Sequence, residues 1–425
     1  MGLIMKKLLV FLFLFLVTTT SYANKSLNIK SFETVWHTVN DKHYDSTFGG
    51  LNWKDAHDRY QSQIASAESN LEFYTLVNKM LFELNLSHFL VVPRNDLKHR
   101  LPTLFAEGSI GVDVRLLGDT AVITSVKSES PAAQAGLHPG FVIEHIDGMT
   151  IKQIIKESET TLIPPFNSRN RRNRITNEIL GHIYGPTDTS VSIVYLDENR
   201  ERHEQRIRRK VRGSGKVFSD ALPAFFIEFK AKRLENNIGY IWFNHFAKPV
   251  AVKFIEALES MRDTPGIIID LRGNSGGFFK TVDIIAKHLL AEKTLFYTFR
   301  FRDKTIDKYV TPVDSVYKGP VVVLIDIMST SASEDFSSCI QVINRGVIVG
   351  EHSPGYALVA NWMKLPNGAA FMHAIAQFRT PDGTVIEGHG VVPDIEVKLD
   401  RNSLLKGIDT QLEEALKYIK DKMQK

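Results

Sequence analysis

The chain has 425 residues, too many for one compact core, so two or three domains are expected. Apolar residues make up 43% and charged residues 24%, proportions that exclude a largely disordered chain and a protein of many membrane spans. The formal net charge of +4 is too small to predict binding to nucleic acid or to an anionic membrane.

The first residues contain the three parts of a secretory signal peptide. Lys6 and Lys7 precede an unbroken apolar run, Leu8 to Val17, and small residues follow up to Ala23. A bilayer-spanning helix needs about 20 apolar residues, so this run is short for a permanent anchor, which is the alternative. We therefore predict a signal peptide over residues 1–23, no stable membrane span after cleavage, and an exported protein in the periplasm or outside the cell.

Residues 24–103 have the pattern of a small helical domain. Phe32, Val35 and Val39 recur at helical spacing, and Asn52 and Ser69 are residue types that commonly begin helices. The segment ends in NLSHFLVVP, where β-branched residues indicate a change to extended structure.

Residues 104–215 change to short β-runs separated by turns. The stretch SPAAQAGLHPGFVIEHIDGMTI resembles the PDZ domain of bacterial processing proteases, with Phe141 where that pattern usually has aspartate. The resemblance implies binding of an extended peptide, whose terminal carboxylate is held by backbone amides of one loop. By resemblance that loop consists of Ser109, Ile110, Gly111 and Val112. A β-domain used only for packing is the alternative.

An arginine-rich stretch, SRNRRNRIT, lies within the predicted PDZ region. It stands at the start of a predicted helix, and we interpret the arginines as a solvated helix face rather than as a nucleic-acid site.

Residues 216–425 alternate apolar strands with helices. The runs GIIIDLR, PVVVLID and GVIVGE predict a sheet that is buried on both faces, with sites at the carboxyl ends of its strands. The only cysteine, Cys339, stands in an apolar helical pattern and is expected to be buried rather than catalytic.

Two motifs directly follow such strands. The first, DLRGNSGG, ends in Gly276 and Gly277, which let the backbone approach a ligand closely. The second, DIMSTSASEDF, places Ser331 at a strand-to-helix turn, where helix amides can stabilise an oxyanion. Alone, the first is only a glycine-rich loop, and the second is equally compatible with a simple helix cap.

In this order, behind a helical domain and a PDZ module, the two motifs resemble the C-terminal processing (tail-specific) serine peptidase family. The resemblance covers nearly the whole mature chain. It implies a multidomain α+β protein whose α/β core is crotonase-like (ββα-type), and hydrolysis of protein substrates with accessible C-termini. By resemblance Ser331 is the nucleophile, and the oxyanion hole is formed by Ala332 and by Gly276 or Gly277. Glu334 is then a structural anchor.

One departure from the family pattern is decisive for the mechanism. The family activates its serine with a lysine, but here Tyr356 holds that position, Ala360 replaces the supporting glutamine, and Lys364 is too far along a predicted strand. The tricorn core protease branch of the family uses histidine instead. That resemblance implies His88 as general base and Glu387 as the acid, acting partly through Ser87.

Several alternatives remain open at this point. His352, His373 and His389 are rival bases in the same region. No histidine and carboxylate spacing matches a zinc motif such as HExxH, so neither a metal nor another cofactor is expected. The rival functions are a binding protein on the same fold, as in the lipid-binding interphotoreceptor retinoid-binding proteins, and a PDZ scaffold that holds unfolded tails. The sequence carries no signal for oligomeric state.

Overall fold

The computed structural model describes residues 24–160, 167–213, 215–217 and 222–424. They form a helical N-terminal region, a PDZ domain and an α/β core that carries a second sheet. The predicted signal peptide lies outside the described residues. Within the described ranges, no helix is both long and apolar enough to cross a membrane.

The N-terminal region consists of three helices whose apolar faces pack together. Their bounds are Lys25–Lys42 (α1), Trp53–Ser66 (α2) and Asn70–Phe82 (α3). The predicted helix starts are confirmed, because the side chains of Asn52 and Ser69 accept hydrogen bonds from the amides of Asp55 and Glu72.

A short linker leads from these helices to the PDZ domain. It contains strand Leu90–Val92 (β1) and helices Leu97–Arg100 (α4) and Pro102–Phe105 (α5). We refer to residues 90–105 as the linker.

The PDZ domain is built around a sheet of six strands in which an edge strand packs against a long helix. Its strands are Gly108–Ser109 (β2), Val112–Leu117 (β3), Thr120–Val126 (β4), Val142–Ile146 (β5), Met149–Thr150 (β6), Ser190–Leu196 (β7), Arg202–Arg208 (β8) and Lys210–Val211 (β9). Its helices are Pro131–Gln134 (α6), Ile151–Glu159 (α7) and Ser168–Ile183 (α8). The main sheet has the order β3-β4-β5-β7-β8 with β6 paired to β5, whereas β2 and β9 form a separate pair. Strand β3 is therefore an edge strand, and it contacts α8.

The core is built around a six-stranded sheet in the order β12-β13-β14-β17-β18-β21, in which every pair except β12–β13 is parallel. Its first strands are Gly215–Val217 (β10), Phe225–Ile227 (β11), Phe229–Arg233 (β12), Gly239–Phe243 (β13), Ile267–Asp270 (β14), Thr294–Arg300 (β15) and Thr305–Val310 (β16). The remaining strands are Val321–Ile325 (β17), Val347–Gly350 (β18), Leu358–Lys364 (β19), Ala370–Arg379 (β20) and Ile395–Glu396 (β21). The helices are Lys248–Ser260 (α9), Phe279–Lys287 (α10), Ala332–Val342 (α11), Arg401–Leu405 (α12) and Thr410–Met423 (α13).

The six-stranded sheet is buried on both faces, as the apolar runs predicted. Ile268, Val322 and Leu324 pack against α13 on one face. Ile267 and Ile269, on the other face, share a core with helices α9 to α11 and with the second sheet. That second sheet has the order β1-β20-β15-β16 with β19 on β20, so the linker strand β1 completes a sheet of the core. Helices α1 to α3 cover its outer face.

The arginine-rich stretch on α8 docks the PDZ domain on the core. Arg169 Nε donates to the carbonyl of Ser353 at 3.0 Å, and Arg172 pairs with Glu351 at 2.9 Å. The interpretation of the arginines as a solvated helix face is therefore wrong for Arg169 and Arg172. The guanidinium groups of both bind residues of the core that are distant in sequence.

Candidate active site

Three loops meet at one edge of the core sheet. They follow the neighbouring parallel strands β13, β14 and β17, as expected for loops at the carboxyl ends of such strands. Asn274 joins two of them, because its carbonyl accepts from the amide of Thr330 at 3.1 Å and its Oδ1 accepts from the hydroxyl of Ser333 at 2.8 Å. The glycine-rich loop and the serine turn are thus locked together.

Ser331 occupies a strained turn between β17 and α11. Its backbone has φ 55° and ψ −126°, a conformation that non-glycine residues rarely adopt and that is typical of nucleophile elbows. Its amide donates to the carbonyl of Tyr356 at 2.8 Å and to Oε2 of Glu334 at 3.1 Å. These bonds hold the serine in the strained geometry at the start of the helix.

Glu334 has the structural role expected of it. Besides the amide of Ser331, its carboxylate accepts the hydroxyl of Ser353 at 2.6 Å and the amides of Gly355 and Tyr356 at 2.6 and 2.8 Å. Burial raises its pKa to about 7, although these hydrogen bonds act in the opposite direction. All four donors belong to the backbone or to Ser353, so Glu334 fixes the turn and the segment beyond β18.

The structure brings Ser87, His88 and Glu387 into one hydrogen-bonded chain. The Ser87 hydroxyl lies 2.6 Å from Nδ1 of His88 and 2.8 Å from Oε2 of Glu387. Glu387 also accepts from the amides of Ser87 at 2.7 Å and Ala357 at 2.9 Å. Residues from the end of the helical region and from the C-terminal segment thus share one buried network.

The donors and acceptors of this chain determine the tautomer of His88. If Glu387 is ionised it can only accept, so the Ser87 hydroxyl donates to it and must accept from His88. His88 then carries its proton on Nδ1, which leaves the lone pair of Nε2 free. Burial lowers the pKa of His88 to about 4, so the ring is neutral at pH 7. Burial also raises the pKa of Glu387, to about 7, against the hydrogen bonds that favour its ionised form.

Ser331 and His88 line the same cavity, which has a volume of about 450 Å³. Most of its wall is apolar, with Leu104, Phe278 and Trp362 among the lining residues. The linker and α8 of the PDZ domain form part of the wall, α8 through Arg174 among others. The cavity is therefore bounded by all three regions of the chain.

Ala332 directly follows Ser331, and Gly277 lines the same cavity, so the backbone amides of both are candidates for an oxyanion hole. Within the described part of the chain, the amides of Ala332 and Gly277 donate to no other group. The amide of Gly276 instead donates to Oδ1 of Asn274 at 2.9 Å. Of the two glycines considered from the sequence, the geometry thus favours Gly277.

His245 is a second histidine in the cavity, and it was not predicted from the sequence. It follows strand β13, is buried, and has Nδ1 at 3.4 Å from the Ser275 hydroxyl, while burial lowers its pKa to about 3. Its position shortly after the apolar run IGYIWF, which has the pattern of a further strand, was the available signal.

The rivals named from the sequence lie elsewhere. Nε2 of His352 donates to the carbonyl of His389, and His373 packs against Phe371 on β20. None of the three rival histidines lines the cavity of Ser331 among the described residues. Tyr356 and Ala360 do line it, whereas Lys364 is exposed at the end of β19. No lysine of the described ranges lines this cavity.

The predicted carboxylate-binding loop faces a second cavity, of about 250 Å³, between the PDZ domain and the core. Ser109, Gly111 and Val112 line it together with Lys127, whereas the side chain of Ile110 is buried in the PDZ core. The Ser109 hydroxyl accepts from the amide of Gly111 at 3.0 Å, which stabilises the loop.

Three sequence-family models match the regions that the structure separates. Peptidase family S41 matches residues 237–397, the tricorn protease C1 domain matches residues 30–82, and the PDZ domain matches residues 108–164. They correspond to the core, the N-terminal helices and the PDZ domain.

Comparison with individual known proteins gives the same result as the family models. The carboxyl-terminal-processing protease of Synechocystis sp. is 26% identical over 365 residues, which is 84% of this chain and 78% of that protein. The photosystem II D1 C-terminal processing protease has a TM-score of 0.56 and 18% identity, over 89% of this chain and 96% of that chain. The tricorn protease has a TM-score of 0.53 and 16% identity, over 94% of this chain and 37% of that chain. At such identities the two structures are evidence for the fold alone.

These matches distinguish between the alternative functions that the sequence left open. They place the chain among proteases and do not favour a binding protein or scaffold on the same fold. The chain is thus a PDZ-containing serine peptidase of family S41, of the C-terminal processing kind.

Proposed function

We propose that this peptidase cleaves protein substrates recognised through their C-terminal tails, by an acyl-enzyme mechanism with Ser331 as the nucleophile. The observation that carries the proposal is the chain Glu387–Ser87–His88, whose histidine lines the cavity of Ser331. A catalytic histidine needs a partner that fixes its tautomer, and here Ser87 and Glu387 provide that partner.

His88 acts as the general base in this proposal. With Nδ1 protonated by the relay, Nε2 accepts the proton of the Ser331 hydroxyl as the hydroxyl attacks the scissile carbonyl, and later gives it to the leaving amine. Ser87 and Glu387 are positioning residues, since they act through His88. The buried carboxylate of Glu387 also stabilises the imidazolium that forms in the transition state.

The amides of Ala332 and Gly277 form the proposed oxyanion hole. Gly277 lines the cavity of Ser331, and the amide of Ala332 belongs to the first turn of α11, where the helix dipole favours negative charge. Hydrogen bonds aimed at the developing oxyanion commonly contribute roughly 10²–10³-fold to the rate.

Tail capture belongs to the PDZ domain in this proposal. An extended peptide adds to an exposed edge strand, and β3 is the edge of the PDZ sheet beside the loop that contains Ser109 and Gly111. Lys127, which lines the same cavity as that loop, is a cation suited to a terminal carboxylate.

The proposed export of the mature protein to the periplasm or the cell exterior rests on segment 1–23. Recovery of a chain that begins at Asn24 outside the cytoplasm tests it.

The test of the catalytic assignment is labelling of the mature protein with a fluorophosphonate probe, followed by mass spectrometry. We expect modification at Ser331, none in Ser331→Ala, and roughly 10²–10⁴-fold slower labelling in His88→Ala, because the base is lost. His352→Ala is the matched control and should label normally, since its ring lies outside the cavity.

Two results contradict the assignment. If labelling depends on His245 rather than on His88, His245 is the general base. If the wild-type protein is correctly folded and is not labelled, Ser331 is not an activated nucleophile. In parallel, a cleaved peptide is compared with its C-terminally amidated form. Equal rates for the two peptides would contradict recognition of the tail carboxylate.

A further inference from the structure

A cluster of two histidines and one glutamate lies outside the catalytic network. His99, at the end of the linker helix α4, faces Glu178 and His182 on α8 of the PDZ domain. One ligand atom from each of the three side chains lies within 4.8 Å of the others. Nδ1 of His99 is 3.4 Å from Oε1 of Glu178, and the two imidazole centroids are 5.1 Å apart.

We propose that His99, Glu178 and His182 form a binding site for a divalent transition-metal ion such as Zn²⁺, which cross-links the linker to the PDZ helix. The donor set fits this class of metal, because imidazole nitrogen and carboxylate oxygen are common Zn²⁺ ligands, with bonds of about 2.0–2.2 Å. Tetrahedral coordination at such distances places ligand atoms roughly 3.4 Å apart, the separation that His99 and Glu178 already have. The ligand atom of His182 lies within 4.8 Å of the other two, so coordination would require it to move closer to them.

The local fold presents these three ligands together. Glu178 and His182 are four residues apart on α8, so they project from the same face of the helix.

An independent feature of α8 points to the same place. Gly181 lies in the interior of this helix, where glycine costs roughly 1 kcal/mol relative to alanine. A Cβ at this position would lie 2.6 Å from the carbonyl oxygen of His99 and 3.1 Å from its ring carbon Cε1. The glycine thus allows α4 and the His99 ring to approach α8 closely enough for shared coordination.

The site has room for the rest of a coordination sphere and a connection to the cavity of Ser331. The His99 side chain is 44% exposed, so water can supply the fourth ligand. Glu178 lies 3.8 Å from Arg174, which lines the catalytic cavity, and Arg100, the neighbour of His99, lines it too. A bound ion would therefore fix the two elements that form one wall of this cavity. His99 is distant in sequence from Glu178 and His182, so no local motif could predict the complete set of ligands.

Isothermal titration of the metal-free mature chain with Zn²⁺ tests the proposal, with Co²⁺ absorption as a spectroscopic check of the ligand geometry. We expect one ion per chain, affinity at least 10-fold weaker in His99→Ala and in His182→Ala, and loss of the visible Co²⁺ bands in both variants. Glu178→Gln should weaken binding without changing the fold. Both histidines are partly exposed, so circular dichroism should confirm that the variants remain folded.

His203→Ala is the matched control. His203, Asp197 and Glu201 form the other group of possible ligands among the described residues, but Asp197 already accepts from two amides and from His203 at 2.7 Å. This variant should bind Zn²⁺ as the wild type does. Absence of binding in wild-type protein, or binding that survives loss of both His99 and His182, would overturn the proposal.

Discussion

At the scale of single residues, the hydrogen-bonded chain Glu387–Ser87–His88, which we propose to be catalytic, contains two groups with opposite pKa shifts. Burial lowers the pKa of His88 to about 4 and raises that of Glu387 to about 7. His88 is therefore neutral at pH values well above 4, and its ability to act as a base there depends on which nitrogen carries the proton.

The protonation state of Glu387 determines which nitrogen of His88 carries the proton. Below about pH 7 its carboxyl group takes up a proton and can donate it to the Ser87 hydroxyl, which then donates to Nδ1 of His88. The proton of the imidazole then lies on Nε2, so the nitrogen needed by Ser331 is no longer a base. Protonation of the acid thus reverses the relay without charging the histidine.

We predict that kcat/KM rises with pH through about 7, because the raised pKa of Glu387 leaves it ionised only above that value. Glu387→Gln should lower kcat/KM by roughly 10²–10⁴-fold and abolish this inflection. The measurement is the pH profile of peptide hydrolysis for both proteins. A profile that stays flat down to pH 5 would assign control to His88 alone, and an inflection that persists in the variant would belong to Glu334, whose pKa is also about 7.

At the scale of elements, the site depends on how closely two loops approach. Gly276 has φ +89°, and a Cβ there would lie 2.6 Å from Cβ of Ser331 and 2.7 Å from the carbonyl oxygen of Thr330. Both neighbours belong to the rigid nucleophile turn, so the added methyl group can be accommodated only if the loops separate.

We predict that Gly276→Ala lowers kcat/KM by at least about 10²-fold, because separated loops displace the oxyanion amides from Ser331. The free energy of unfolding should fall by about 2–4 kcal/mol, from backbone strain together with overpacking. Gly383→Ala is the matched control, since Gly383 has φ +88° and nothing within 4 Å of the added Cβ. In Gly383→Ala the free energy of unfolding should fall by about 1–2 kcal/mol because of backbone strain, and kcat/KM should equal that of the wild type. Equal activity of the two variants would contradict this account of the loops.

The sequence predicted the elements of this site better than their connections. Continuous apolar strands and cap residues made the core sheet and the helix starts predictable, since both depend on local pattern. The hydrogen-bonded chain Glu387–Ser87–His88 was accessible only through the family resemblance, because Glu387 lies 300 residues after Ser87. The docking role of Arg169 and Arg172 on α8 was missed, because contact with another domain leaves no periodic signal in the sequence.

At the scale of the whole molecule, the PDZ domain is tied to the segment that leads to Ser331. Ile327 and Met328 are buried and pack with the apolar core of the PDZ domain. Asn173 on α8 donates to the carbonyl of Ile327 at 2.8 Å. Arg115 on β3 donates to Asp326 at 2.6 Å. The position of the nucleophile turn is therefore coupled to the position of the domain proposed to capture substrate.

The ion pair between Arg115 and Asp326 is the electrostatic part of this connection. Their side chains are 5% and 2% exposed, so removal of the arginine would leave a buried carboxylate without its partner cation. Burial acts to raise the pKa of Asp326, but Arg115 and two backbone amides outweigh it and keep the pKa below its usual value. The carboxylate is thus held in its charged form.

We predict that Arg115→Met lowers the free energy of unfolding by about 3–5 kcal/mol, the usual cost of breaking a buried ion pair on one side. Arg208→Met is the matched control, because Arg208 pairs with Asp188 at 3.0 Å with both side chains about two-thirds exposed. Such a surface pair contributes at most about 1 kcal/mol. Urea unfolding of both variants measures the difference.

Labelling of Ser331 should also slow in Arg115→Met alone, since Asp326 holds the turn through the amides of Gly273 and Met328. Equal stability and equal labelling of the two variants would mean that the PDZ domain and the nucleophile turn are not coupled through this pair.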